Sequence, residues 1–157
     1  MLKSSKIKPF LWFDTQAEDA AKFYTSVFSN AEIVQVARRP KGVPGEEGKV
    51  LTVAFRLEGQ DFVALNGGPQ FPHTEAISFV VECADQAEID YFWDQLTSGG
   101  GQPVQCGWLK DRFGVFWQVV PQDLGRFFQD PKKAERVMAA VMQMVKLDLA
   151  AMEAAAK

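Results

Sequence analysis

The sequence predicts an α+β fold: two βαβββ modules forming facing curved mixed sheets, followed by a C-terminal helix. Three observations carry that expectation. A strand, a helix and then further strands occur twice in the same order. A helix-start tetrapeptide recurs, Thr15-Gln16-Ala17-Glu18 and Asp85-Gln86-Ala87-Glu88, 70 residues apart with three of four letters identical. After Asp130-Pro131 the apolar residues fall at helical spacing to the end of the chain.

Each element has a local reason. Ile7 to Phe13 reads as a strand. Thr15 and Glu18 then form a capping box, in which the cap oxygen takes one free backbone N–H and the glutamate reaches back for another. Ala17, Ala20, Ala21, Tyr24, Val27 and Phe28 make one stripe at i, i+3, i+4 spacing, so a helix follows. Glu32 to Arg38 is a second strand. Arg39 to Gly48, with its prolines and glycines, is a loop, and its Arg38, Arg39 and Lys41 read as solvated charges. Lys49 to Leu57 and Asp61 to Leu65 form a hairpin turned by Glu58-Gly59-Gln60. Asn66 to Pro72 connects this half to the next.

The second half repeats the order. Ala76 to Glu82 is a strand, and Asp85 opens a helix that places Ile89, Phe92, Trp93 and Leu96 on one face. Gly99-Gly100-Gly101 closes it. Pro103 to Leu109 and Val115 to Val120 are strands, joined by Lys110-Asp111-Arg112-Phe113-Gly114, whose Asp and Gly suit a tight turn. Duplication explains a recurring element order better than chance. Neither half can bury its apolar face alone, so paired sheets enclosing a core or cleft follow. The organisation expected is one domain over 1–128, with halves at about 6–70 and 74–122, and a tail over 130–157. That tail starts with Asp130 as N-cap and Pro131 at the first helical position. It reads as one helix of about 25 residues, long for a globular protein, with Ala134, Val137, Met138, Val141, Val145, Leu149, Met152 and Ala156 on its stripe.

Length and charge narrow the function. A chain of 157 residues builds one core. The net charge of −3, with scattered Lys and Arg, argues against nucleic-acid binding. Cys83 and Cys106 make neither a disulfide framework nor a metal knuckle, and both fall in expected strands. No apolar stretch suits a signal peptide or membrane span, so a cytoplasmic protein is expected. Thirteen Phe and four Trp point to a ring-rich core or cavity wall. A phosphate loop at Gly42 to Val50 is rejected. Its first Gly is one residue early, Val50 replaces the Ser/Thr, and Glu46 and Glu47 would repel phosphate.

Three stretches resemble the PhnB-like branch of the glyoxalase/bleomycin-resistance (vicinal oxygen chelate) superfamily, whose members are often labelled 3-demethylubiquinone-9 3-methyltransferase. They are Pro9 to Asp14 with Ala20 to Tyr24 and Val27-Phe28; Ile77 to Cys83; and, most distinctive, Cys106 to Pro121. The tail Lys146 to Ala155 is similar to helices that follow this domain in some members. The resemblance implies paired modules around a cleft, and usually a homodimer. It does not imply methyl transfer. The first strand ends in Phe13-Asp14-Thr15-Gln16, without the glycine turn that lets backbone approach such a cofactor.

The resemblance also implies four metal-ligand positions. They fall at Ile7 or Lys8, near Ala64, near Glu75 or Ala76, and at Gln118. Only Gln118 and Glu75 carry suitable atoms, and the sole histidine, His73, lies in the connector. No metal or other cofactor is therefore expected, with a weakly held divalent ion as the lesser alternative. The ligand-binding cleft is expected to use Phe10, Trp12, Phe55, Trp108 and Phe116 as rings, Ser78 and Gln118 as polar handles, and Asn66, His73 and Glu75 at the mouth. Lys110 and Asp111 read as turn residues. The leading functional reading is a small-molecule binder without a catalytic metal. The alternatives are a metal-dependent lyase, isomerase or dioxygenase with a degenerate site, and a non-catalytic dimer working through its tail helix.

Overall fold

A computed structural model describes residues 5–157, and the chain divides into two compact units, through His73 and from Thr74 onward. In the first unit, β1 (Phe10–Phe13), α1 (Ala17–Val27), β2 (Ala31–Arg38), β3 (Val50–Leu57) and β4 (Gln60–Asn66) build one sheet in the order β1-β4-β3-β2. β1 and β4 are parallel; the other neighbours are antiparallel. The β3–β4 hairpin turns through Glu58 and Gly59 at φ 47° and 83°, the paired left-handed geometry that matches the twist of flanking strands. In the second unit, β5 (Phe79–Cys83), α2 (Gln86–Thr97), β6 (Gln102–Pro103), β7 (Trp108–Lys110) and β8 (Phe116–Pro121) give the order β5-β8-β7-β6. Strand for strand, this is the topology of the first unit, with β5 and β8 the parallel pair. The expected βαβββ repeat is present.

Both helices pack on their sheets through the stripes read from the sequence. Ala17, Ala20, Ala21, Tyr24 and Val27 are buried on α1, and Ile89, Phe92, Trp93 and Leu96 on α2. The alanines leave α1 close to its sheet, where the Tyr24 and Phe55 rings stack 6.0 Å apart.

Several boundaries and one motif differ from expectation. β1 begins at Phe10, not Ile7, because Pro9 has no N–H to give the ladder; its carbonyl still accepts from Val63 N at 3.0 Å. β5 begins at Phe79, not Ala76. The capping box at Asp85 forms: its side chain accepts from Glu88 N, while Glu88 Oε2 accepts from Ala84 N. The one at Thr15 does not. Gln16 is the α1 cap and supplies no side-chain bond; Asn66 Oδ1, from the end of β4, accepts from Ala17 N at 2.8 Å instead. The stretch expected as one strand from Pro103 to Leu109 is broken between β6 and β7 by Cys106 and Gly107, at φ 59° and 84°. Cys106 is therefore a half-buried turn residue, not a strand residue.

The tail is two helices, α3 (Pro131–Val141) and α4 (Leu149–Ala155), not one long one. The backbone carbonyls of Met144 and Val145 accept from Cys106 N and Gly107 N at 2.9 and 2.8 Å, which pulls this stretch out of helix. Asp148 then caps α4 by accepting from Ala151 N. Gln86 of α2 fixes the break, donating to Leu147 O and accepting from Leu149 N. The tail packs within its own unit, where Val120, Phe127, Val137, Val141, Leu147 and Met152 form one buried cluster.

Cys83 lies in β5, fully buried on the side of α2. Burial pushes its thiol up to about 12 from an ordinary 9.0, with the charges of Glu88 and Asp85 adding to the shift. Two results are expected. A thiol reagent at pH 8 should label Cys106 in the native protein, and Cys83 only after denaturation. Between pH 9 and 12 the folded chain holds a proton that the unfolded chain releases. The stability Cys83 contributes is therefore present below pH 9 and falls as the pH rises toward 12, which urea melts across that window would measure. Labelling of both cysteines at equal rates in the native state would contradict this placement.

Candidate functional site

Strand alternation gives each sheet one face under its helix and one face away from it. In the first unit Leu11, Phe13, Val53, Phe55, Phe62 and Ala64 are buried on the α1 side. Phe10, Trp12, Val63 and Leu65 alternate with them on the other face, where β1 and β4 pair Phe10 with Val63 and Trp12 with Leu65. Phe55 was expected in the cleft and is not there. It is 1% exposed, stacked on Phe62 at 5.2 Å beneath Tyr24. Asn66 was expected at the mouth, yet its side chain is structural. Besides capping α1, its Nδ2 donates to Val50 O at 3.2 Å.

Trp12 is the fixed ring of this unit. Its Nε1 donates to Gly68 O at 2.9 Å, and the Phe71 ring meets it edge-on at 4.9 Å. A Cβ on Gly67 would stand 2.3 Å from the indole, so only glycine admits the ring at that distance. Trp12, Val50, Leu51 and Leu65 form the apolar part of a cavity of about 930 Å³. It opens at the ends of β1 and β4, beside the first turn of α1. The loop between β2 and β3 closes its far side.

Arg39 holds that loop in place. Nη1 donates to Pro44 O at 2.7 Å and Nη2 to Asn66 O at 2.5 Å, tying the loop to the end of β4. Its guanidinium lies against Gly45, where a Cβ would meet Nε at 2.8 Å. Sequence reading took this arginine for a solvated charge and missed the cavity it helps to shape. The glycines of the loop were the available signal.

The second unit presents a different face. Leu109, Trp117 and Val119 are buried on the α2 side. Trp108 and Phe116 alternate to the other face, with Gln118 between Trp108 and Val80 in the ladder. Gln118 Nε2 donates to Ser78 Oγ at 2.8 Å, which orients the amide. Lys110 Nζ lies 5.9 Å from the Phe116 ring centre. Asp111 is a turn residue, as expected: Oδ1 accepts from Phe113 N and Val115 N, and Oδ2 from Trp117 Nε1.

His73 lies in the connector, half-buried, its ring 5.1 Å from that of Phe13. Glu75 is exposed. Among the described residues no three His, Cys, Asp or Glu side chains group so as to hold a metal ion. Ala64 offers no donor atom at all, and Gln118 offers only a neutral amide. The donor set implied by the superfamily's metal centre does not fit this chain.

Two four-stranded βαβββ modules define this chain as a protein of the glyoxalase/bleomycin-resistance, or vicinal oxygen chelate, fold. Residues 5–120 match the family described as 3-demethylubiquinone-9 3-methyltransferase, and the chain belongs to that family. It is similar to a Bacillus cereus structure described as a putative 3-demethylubiquinone-9 3-methyltransferase, PhnB protein. The identity is 36% over 74% of this chain and 99% of that one, with a TM-score of 0.67. Protein PA1353 of Pseudomonas aeruginosa aligns at 22% identity and a TM-score of 0.58, over 76% of this chain and all of the other. The fosfomycin resistance protein FosX of Listeria monocytogenes, solved with Mn(II) and sulfate, shares the fold at 16% identity and a TM-score of 0.52, over 78% and 94% of the two chains. No curated protein matches the chain. The family match ends at residue 120, so α3 and α4 lie outside it. No helix among the described residues is long and apolar enough to cross a membrane.

Proposed function

We propose that this chain is a PhnB-like binder of a small organic molecule that works without a tightly held metal and transfers no methyl group. The observation that carries the reading is the cavity of the first unit: about 930 Å³, within the range that small-molecule sites occupy, with a locked indole in its wall. Trp12 offers a flat apolar surface whose only polar atom is already satisfied by Gly68 O, so it receives a ligand by area and shape. On the second unit, the Ser78–Gln118 pair beside Trp108 and Phe116 supplies oriented polar atoms among rings. Against methyl transfer stands the end of β1, where Trp12-Phe13-Asp14 leads into α1 without a glycine turn, on a sheet that is not doubly wound.

The test uses a neutral probe, 3-phenyl-1-propanol, followed by the Trp12 indole N–H and the Gly67 and Gly68 amides in two-dimensional NMR. Saturable shifts confined to these signals are expected, with dissociation in the millimolar range for so small a probe, about −4 kcal/mol. Trp12→Ala should weaken binding about tenfold. Shifts that do not saturate, or an undiminished affinity in the variant, would remove the cavity from the reading.

A further inference from the structure

We propose that the cavity of the first unit selects organic cations: small molecules with an apolar body and a protonated amine. The inference rests on the proposed binding reading and adds the ligand's charge. It comes from which charged groups at the rim are free to meet a ligand.

Arg39 keeps its positive charge, but two of its N–H groups already donate to Pro44 O and Asn66 O and so are not available to grip an anion. Glu18 is also engaged, bridged to Lys22 at 2.7 Å. The charges left at the rim are Asp14, Asp19 and Glu46 against Arg39 and Lys49, an excess of one negative charge. Asp14 follows β1, Asp19 sits in the first turn of α1, and Glu46 comes from the loop, so the carboxylates approach from separate elements. Glu18 and Asp19 also occupy the helix start, where the backbone dipole would otherwise draw an anion. An anionic ligand would face these carboxylates' repulsion. An ammonium at the rim would instead be drawn by the negative excess while its hydrocarbon portion covers Trp12, Val50 and Leu65. A cation beside an indole gains further attraction from the ring face. Field and surface therefore favour the same ligand class.

The experiment compares three probes of one shape against the intact protein by NMR titration: 3-phenylpropylamine, 3-phenyl-1-propanol and 3-phenylpropionate. The amine should bind about threefold more tightly than the alcohol, and the carboxylate more weakly than both. The double variant Asp14→Asn with Glu46→Gln should bring the ratio of amine to alcohol affinity to about one, its fold checked by an unaltered spectrum elsewhere. Raising the salt from 20 mM to 500 mM should narrow the amine's advantage. Equal binding of amine and alcohol would overturn the charge preference while leaving the cavity a binding site. Tighter binding of the carboxylate would overturn it outright. Binding by none of the three would end both readings.

Discussion

Replacing Asp111 with alanine should destabilise the protein by about 3–5 kcal/mol, among the largest single-site effects expected here. The carboxylate is 2% exposed, and three donors converge on it: Phe113 N at 2.8 Å, Val115 N at 3.0 Å and Trp117 Nε1 at 2.8 Å. Two of them are backbone groups of the β7–β8 turn, and the third anchors an indole buried on the α2 side. Alanine strands the buried Val115 and Trp117 donors away from water and leaves the part-buried Phe113 N without its acceptor, and unsatisfied buried donors cost more than the bonds they leave. Asp111→Asn keeps an acceptor for the turn but sets an amide N–H₂ against the indole N–H, so about half the loss is expected. Trp117→Phe, which removes a donor and keeps an apolar ring, should cost less than Asp111→Ala. Urea melts give the ordering through their midpoints. A loss under 1 kcal/mol for Asp111→Ala would mean the turn does not depend on the carboxylate.

Phe55→Ala is expected to cost about 3–5 kcal/mol. The ring is 1% exposed, stacked between Tyr24 of α1 and Phe62 of β4. Its removal opens a cavity in the apolar layer joining that helix to its sheet. Phe55→Leu fills most of the space and should cost under about 1.5 kcal/mol. If Phe55 instead lined a ligand site, alanine would weaken ligand binding and leave stability nearly unchanged. The two outcomes separate cleanly in one urea titration and one titration of 3-phenyl-1-propanol.

How far the fold could be read ahead depended on how local each signal was. The start of α2 was legible because Asp85 and Glu88 satisfy neighbouring amides within one turn. The start of α1 carried the same letters but takes its cap from Asn66, 49 residues away, which no tetrapeptide can announce. Helical spacing in the tail continues through 142–148. What breaks the helix there is the demand of two amides at Cys106 and Gly107, a tertiary cause that overrides periodicity. For the site, alternation placed Trp12, Ser78, Trp108, Phe116 and Gln118 on the faces away from the helices. It failed for Phe55, although β3 held the answer. Thr52 and Arg56 share the parity of the uncovered face, so Val53, Phe55 and Leu57 belong beneath α1. The cavity itself was not legible. It exists because Arg39 folds the eleven-residue loop 39–49 back onto the end of β4, and a long-range side-chain tie leaves no periodic mark.

On the proposed reading this fold serves binding through rings and oriented polar atoms, without an ion such as the Mn(II) with which FosX was solved. Elemental analysis of the protein, purified without chelator and dialysed against metal-free buffer, tests it most directly. The expected result is far less than one equivalent of Mn, Fe, Ni, Zn or Cu per chain. About one equivalent of any of them, retained through dialysis and lost on replacing Gln118 and Glu75, would contradict it.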